Sequence, residues 1–272
     1  MNEKEITRRA VIGGVGGIGA TQFIGHAQGQ QAENSEHWHH YRKDIANSGY
    51  TPNATGPKEN YSVKWSVETY AWGPIIHDQS IYYTGSRVHA YDIEDGSERW
   101  EFDPETAQPF NTAVYGSGSI YAIDRSNTLY SISAETGNEN WRFDLPFPSG
   151  DFVYRSSPKY YDGVIYVRIN NNESTRVFGI NTDSQELLWQ TELPGIGGDS
   201  RIRSAPAIKN GTVYVGSNAL NARNGDIEWS VRNNEVERAA NEYYTVNSAS
   251  VSDDRVYTGY DGGVHAFDAD TG

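Results

Sequence analysis

Ala90-Tyr91-Asp92-Ile93-Glu94-Asp95-Gly96, with Trp100 four residues on, is one copy of a phrase that this 272-residue chain repeats. It returns as Ser131-Ile132-Ser133-Ala134-Glu135-Thr136-Gly137 before Trp141, and as Gly179-Ile180-Asn181-Thr182-Asp183-Ser184-Gln185 before Trp189. A shorter copy, Leu220-Asn221-Ala222-Arg223-Asn224-Gly225, precedes Trp229, and the last is Ala266-Phe267-Asp268-Ala269-Asp270-Thr271-Gly272. With Trp65 included, five tryptophans recur at gaps of 35, 41, 48 and 40 residues. A period of about 40 residues with several short strands in each unit signals a radial β-array.

One unit shows why. Ile75-Ile76 is a short apolar strand, and Asp78-Gln79-Ser80 turns the chain. Ile81-Tyr82-Tyr83-Thr84 is a second strand of strong β-formers, and Val88-His89-Ala90-Tyr91-Asp92 is a third. Glu94-Asp95-Gly96 makes a tight turn in which glycine takes positive φ, and Arg99-Trp100-Glu101-Phe102 is the fourth strand. The second strand returns as Ile120-Tyr121-Ala122-Ile123, Val164-Ile165-Tyr166-Val167, Val213-Tyr214-Val215 and Val256-Tyr257-Thr258. Ser157-Pro158-Lys159, Ser204-Ala205-Pro206-Ala207 and Ser248-Ala249-Ser250 open the strand before it. A lone four-stranded sheet cannot bury both faces. Stacked sheets do so, and each recurrent tryptophan is large enough to fill the gap, removing roughly 150–250 Å² from water.

The phrase A-x-D-x-x-T-G-x-x-x-W resembles the repeat of quinoprotein-type, or PQQ-like, β-propellers, including halophilic archaeal members and outer-membrane assembly-factor propellers. Gly137 through Trp141 and the copy ending at Gly272 match best, and the resemblance spans residues 38–272. Tyr41-Arg42-Lys43-Asp44-Ile45-Ala46-Asn47-Ser48-Gly49-Tyr50, followed by Gly56-Pro57, resembles the lead-in of exported members. The expected fold is therefore all-β, a propeller of four-stranded blades over residues 61–272, behind a polar lead-in at 28–60. Gly96, Gly137, Gly225 and Gly272 hold the turns, and Trp65, Trp100, Trp141, Trp189 and Trp229 hold the blade interfaces. Two departures stand out: Gln185 replaces the turn glycine, and Val215-Gly216-Ser217-Asn218-Ala219-Leu220 leaves so little room for a hairpin that this blade is expected to be irregular or to lack its loop. Since open sheet edges pair with other chains, we expect about five blades of a ring of seven or eight. A genuine four- or five-bladed protein is the alternative.

Residues 1–27 read as an export signal. Thr7-Arg8-Arg9-Ala10-Val11-Ile12 resembles a twin-arginine motif, with Arg8 and Arg9 as its core. Ala10 to Ile24 is apolar and glycine-rich, and Gly25-His26-Ala27 is a small-x-small cleavage pattern. The run is too short and glycine-rich for a good membrane span, and an uncleaved anchor is the alternative. With no cysteine the chain has no lipid attachment point, disulfide, thiolate metal site or thiol nucleophile. Net charge is −14, and only six of the 22 basic residues are lysine. Such an acidic surface suits high salt, where screening removes self-repulsion, and it offers no basic stripe to nucleic acid. Sequons begin at Asn53, Asn60, Asn172 and Asn210.

Chemistry is sparse. His37, His39 and His40 flank Trp38, but their spacing is no zinc pattern, and a solvated first strand packed on the last blade is the simpler expectation. The acidic turns at Glu94-Asp95, Asp183 and Asp268 to Asp270 lack the full calcium-loop pattern, and turn chemistry accounts for them. Arg201, Arg203 and Arg238 are candidates for an anion funnel, and Tyr154, Tyr160, Tyr161, Tyr243 and Tyr244 for a groove. In quinoprotein dehydrogenases, the resemblance implies pyrroloquinoline quinone stacked between a tryptophan and a vicinal disulfide, beside a calcium or lanthanide ion. The disulfide is impossible here, and no residue is assigned to catalysis, cofactor or metal. The expected function is a non-catalytic exported scaffold or binding module that meets a protein or small-molecule partner through ring-face loops, without nucleic acid. The alternative is a quinone- and calcium-dependent oxidoreductase whose active site lies in other or diverged blades.

Overall fold

The structure is a computed structural model that describes residues 37–49, 62–69, 72–105, 109–148, 153–171, 173–193, 205–231, 248–260 and 263–272. The export segment with Arg8 and Arg9 lies outside them, as do the sequons at Asn53, Asn60 and Asn172.

The described strands fall into five antiparallel sheets, each a meander in sequence order. The first holds β1 (Ile75–His77), β2 (Ser80–Thr84), β3 (Val88–Asp92) and β4 (Glu98–Phe102). The second holds β5 (Val114–Gly116), β6 (Ser119–Ile123), β7 (Thr128–Ser133) and β8 (Glu139–Asp144). In the third, β10 (Lys159–Tyr161), β11 (Val164–Asn170), β12 (Thr175–Asn181) and β13 (Leu187–Glu192) are joined by the short β9 (Tyr154–Arg155), which also pairs with β11. The fourth holds β14 (Ala207–Lys209), β15 (Thr212–Val215), β16 (Asn218–Asn221) and β17 (Ile227–Ser230). The fifth holds β18 (Ser250–Val251), β19 (Arg255–Tyr260) and β20 (Gly263–Asp268). First strands neighbour one another: β1 lies beside β5, β5 beside β10 and β14 beside β18. They line the axis, so the sheets are the blades of a β-propeller.

Cores lie between blades. Strand alternation sends Ile120 and Ala122 into a cluster with Ile75, Val88 and Trp100 of the first blade, and Tyr121 and Ile123 into a cluster with Ile165 and Phe178 of the third. Third and fourth blades share Tyr166, Trp189, Val213 and Leu220, and fourth and fifth share Tyr214, Ala219, Trp229 and Val256. Each sheet thus buries both faces only through its neighbours.

The repeated phrase has a physical meaning at each position. Its first residue is small because the tryptophan of the same blade lies across it: Ala90 pairs with Trp100, Ser131 with Trp141, Gly179 with Trp189 and Ala219 with Trp229. A Cβ on Gly179 would come within 2.6 Å of the Trp189 ring. A β-bulge follows at once in all four third-to-fourth strand pairs. The Asp or Asn caps the turn, as where Asp268 Oδ1 accepts the amides of Asp270 and Thr271. The glycine receives the indole of the preceding blade. Trp65 lies on Gly96, Trp100 on Gly137, Trp189 on Gly225 and Trp229 on Gly272, so closely that an added Cβ would sit 2.5–3.0 Å from the ring. Each indole N–H donates to a carbonyl of the same turn: Ile93, Ala134, Ala222 and Ala269, at 2.9–3.0 Å. Tyr82, Tyr166 and Tyr214, from the second strands, donate their hydroxyls to three of those carbonyls.

Gln185 breaks this pattern. It keeps the left-handed φ of 59° that the turn needs, but its Cβ stands where the indole would lie. Trp141 is accordingly only half-buried, and its N–H makes no bond to the Thr182 carbonyl. The fourth blade lacks its usual loop, as one of the two expectations had it. Val215 pairs with Asn218 across a two-residue turn, with Gly216 at φ 60°, so the loop is lost but the four-stranded sheet is regular.

Replacing Trp189 with Phe leaves the Ala222 carbonyl to Tyr166 alone and is expected to cost about 1–2 kcal/mol in chemical denaturation. The same change at Trp141 is expected to cost less than half as much. Gly137→Ala drives a methyl into Trp100 and should destabilise by about 1–3 kcal/mol. Gln185→Gly relieves the left-handed backbone and should stabilise by about 0.5–1 kcal/mol.

Candidate functional site at the propeller axis

Residues 37–49 occupy the inward edges of the first strands. Trp38 exchanges both backbone bonds with Ile76 of β1, at 2.9 and 2.8 Å, and the His39 carbonyl accepts the Tyr115 amide of β5 at 3.0 Å. The chain then bends through Arg42 and Lys43, with φ of 58° and 77°. The Ile45 carbonyl accepts the Ile208 amide of β14 at 2.8 Å, and that of Ala46 accepts the Val251 amide of β18 at 3.0 Å. The segment reaches the last described blade, as expected, but is neither solvated throughout nor confined to it: its backbone bonds to β1, β5, β14 and β18, and Lys159 ties it to β10. Unpaired strand edges at the axis need these partners.

Two buried side chains fasten the segment. The Lys159 ammonium, on β10, donates to the carbonyls of Tyr41 at 2.9 Å and Asp44 at 2.7 Å. Asn47 donates through Nδ2 to the carbonyls of Ala205, Pro206 and Ala249, at 3.3, 3.1 and 2.9 Å. The Ser-Ala-Pro text of the sequence is the wall that Asn47 meets, and Pro158 and Pro206 stand just before β10 and β14, where no ladder amide is required.

Arg155 and Asp124 are likewise held by their neighbours. Arg155 donates through Nε to Asn127 at 2.7 Å and through Nη1 to the Val153 carbonyl at 2.6 Å. Burial lowers its pKa to about 10, partly offset by Asp124. Burial raises Asp124, whose Oδ1 accepts the amides of Ser126 and Thr128. Burial alone brings Arg168 down to about 9.

A cluster of histidines lies where the axial strand meets β1. His37 and His39 are two apart on an extended chain and share a face, and the Trp38–Ile76 pairing sets His77 beside them. His39 Nε2 is 2.8 Å from His77 Nδ1, and the three rings lie 4.8–5.1 Å apart between centroids. Tyr115 stacks on His77 at 3.6 Å. The Asp78 carboxylate is 3.8 Å from His37 Nε2 and 3.4 Å from His77 Nε2, and the Asp78 amide donates to His37 Nδ1 at 3.2 Å. Burial, then His77 and His37, lowers His39 to about 4; burial also lowers His77, against Asp78. His40 faces away and is held well below its ordinary value by burial and then by Lys159. Sequence spacing placed His40 with the other two and had no means of finding His77.

The remaining candidates separate. Tyr160 stacks on Tyr121 and covers Gly116, and so packs between blades rather than lining a groove. Arg201, Arg203, Arg238, Tyr243 and Tyr244 lie outside the described residues. The acidic turns direct carboxylates at their own backbone: Asp92 accepts the Glu94 amide at 2.7 Å, and Arg99, then that amide, hold its pKa below the usual range. The second-strand tyrosines of the clamp were missed, although Tyr82, Tyr121, Tyr166, Tyr214 and Tyr257 recur in phase.

A family model described as outer membrane protein assembly factor BamB matches residues 84–218 and 162–272, more than half of the chain. A curated relative, quinohemoprotein alcohol dehydrogenase ADH IIB of Pseudomonas putida, is 27% identical over 107 residues, which is 35% of this chain and 15% of that protein. Among solved structures, quinohemoprotein alcohol dehydrogenase ADHIIG of Pseudomonas putida is similar with a TM-score of 0.67 and 15% identity, over 86% of this chain and 46% of that one. The quinohemoprotein alcohol dehydrogenase of Comamonas testosteroni gives 0.68 and 14%, over 87% and 48%. At these identities the likeness is one of fold, and the chain spans about half the length of those structures. No helix among the described residues is long and apolar enough to cross a membrane.

Lys159→Met and Asn47→Ala each leave buried carbonyls unpaired and are expected to cost about 2–3 kcal/mol. Hydrogen exchange should locate the loss: the amides of Tyr115, Ile208 and Val251 exchange faster, while those within β6 and β11 change least.

Proposed function

Because the chain belongs to the family described as outer membrane protein assembly factor BamB, we propose that it is an exported, non-catalytic β-propeller that binds a protein or small ligand through ring-face loops. The observation that carries this reading is the segment bonded along the axial edges of the first strands. Residues 37–49 lie along the first strands, and Lys159, Asn47 and Arg155 are engaged in holding backbone and neighbouring side chains together. Groups so engaged are positioned for stability rather than for a reacting substrate. Variation is left to the loops, where binding residues concentrate on rigid scaffolds. The acidic surface favours partners that are neutral or basic. Arg8 and Arg9 support export, and their joint replacement by lysine is expected to leave the protein in the cytoplasm of a host with the twin-arginine pathway.

A second reading, a quinone-dependent oxidoreductase, draws support from the quinohemoprotein relatives. The described residues do not supply the quinone's paired-sulfur platform. Trp65, Trp100, Trp189 and Trp229 each have a ring face covered by a glycine turn, and the chain has no cysteine for the paired-sulfur platform.

The test is to add pyrroloquinoline quinone with calcium to the full-length exported protein in high salt, and to follow absorbance, thermal midpoint and dye-linked alcohol oxidation. The scaffold reading predicts no shift and no turnover. A specific complex would stabilise by about 2.7 kcal/mol at a hundred times its dissociation constant, and with turnover would overturn that reading.

A further inference from the structure

We propose that His37, His39 and His77 form a binding site for one divalent transition-metal ion of the zinc class, clipping the axial strand to the first blade. The inference is independent of the function proposed above. It begins with convergence: each imidazole offers one ring nitrogen, and these atoms all lie within 4.8 Å of one another. Zinc binds imidazole nitrogen at about 2.0–2.1 Å, which in a tetrahedron sets neighbouring nitrogens about 3.4 Å apart. The 2.8 Å between His39 Nε2 and His77 Nδ1 therefore opens by about half an ångström to admit the ion, a movement within reach of side-chain torsions.

Placement is not left to side chains alone. His37 and His39 share one face of one strand, and His77 stands opposite on β1. The two backbone bonds between Trp38 and Ile76 hold the strands in register. Tyr115, stacked at 3.6 Å, steadies the His77 ring from the second blade. Asp78 supplies negative charge beside two of the rings and, at 3.4 Å from His77 Nε2, stands as acceptor for the N–H of that ring, the usual partner of a metal-bound imidazole. The donor set decides the ion. Three imidazoles suit zinc, copper or nickel, whereas calcium and magnesium require oxygen. Burial keeps His39 and His77 neutral, and so keeps their ring lone pairs available to an ion. Trp38 and Ile76 already join the strands, so the ion adds a second link between the axial strand and β1.

The experiment uses tag-free, full-length protein stripped with chelator, titrated with zinc chloride by calorimetry and then with cobalt(II) by visible absorption. The expected result is one zinc per chain, a higher thermal midpoint with zinc, and the intense visible bands of cobalt(II) on nitrogen ligands in a tetrahedral field. His77→Gln and His39→Gln should each weaken zinc at least roughly 100-fold, Asp78→Asn by about 10–100-fold, and His89→Gln, on the outer part of the same blade, not at all. If a glutamine variant fails to give a cooperative unfolding transition, the cobalt spectrum of the unaltered protein decides. Absence of stoichiometric zinc binding, an octahedral cobalt spectrum, or binding unchanged in folded His77→Gln would overturn the proposal.

Discussion

An indole laid flat on a backbone turn, with its N–H on a carbonyl of that turn, is the contact on which this molecule depends. A four-stranded sheet of this size has two apolar faces and no means of covering either. Trp100, Trp189 and Trp229 reach from a fourth strand to the next sheet, and Trp65 from the segment before the first sheet, and each closes over the turn that follows a third strand. The contact is stringent on both sides. The turn must have a glycine, for its positive φ and because a methyl would strike the ring, and the strand beneath the tryptophan must present Ala, Ser or Gly. Burial of the ring and a satisfied N–H arrive together, as a buried indole requires.

The axis poses the opposite difficulty. Stacking solves the faces but brings the first-strand edges together, and those edges carry unpaired amides. Residues 37–49 supply the missing acceptors, and Lys159 and Asn47 hold the irregular part of that segment by its own backbone and by the surrounding carbonyls. Removing either side chain would strand polar groups in a place water reaches poorly, so the segment belongs to the core of the propeller. The convergence of His37, His39 and His77 follows from the register that pairs Trp38 with Ile76.

Much of this was legible in the chain. The period of the tryptophans led to the blades, the alternation in Ile120-Tyr121-Ala122-Ile123 to two distinct cores, and the Asp-to-Gly spacing to the turns. What escaped depended on contacts between units. A reader of one repeat sees Gly96 beside Trp100, yet it is Trp65 that covers Gly96. The tyrosines that share the indole's carbonyl were in phase and could have been found by aligning second strands. His77 could not, since it is 38 residues from His39 and meets it only through a strand pairing that periodicity does not encode. The shortened text around Gly216 left two readings, an irregular sheet or a lost loop, because sequence alone does not show whether Val215 and Asn218 still pair.

The most direct test of the docking account is a double-mutant cycle on one carbonyl. Tyr166 and Trp189 both donate to Ala222, so each phenylalanine substitution alone leaves that oxygen one donor, and the pair leaves it none. The account predicts that the double variant loses about 0.5–1.5 kcal/mol more than the sum of the singles. It also predicts that the corresponding cycle on Tyr121 and Trp141, where the indole makes no such bond, is additive. Additivity at Tyr166 and Trp189, or equal coupling at both pairs, would contradict it.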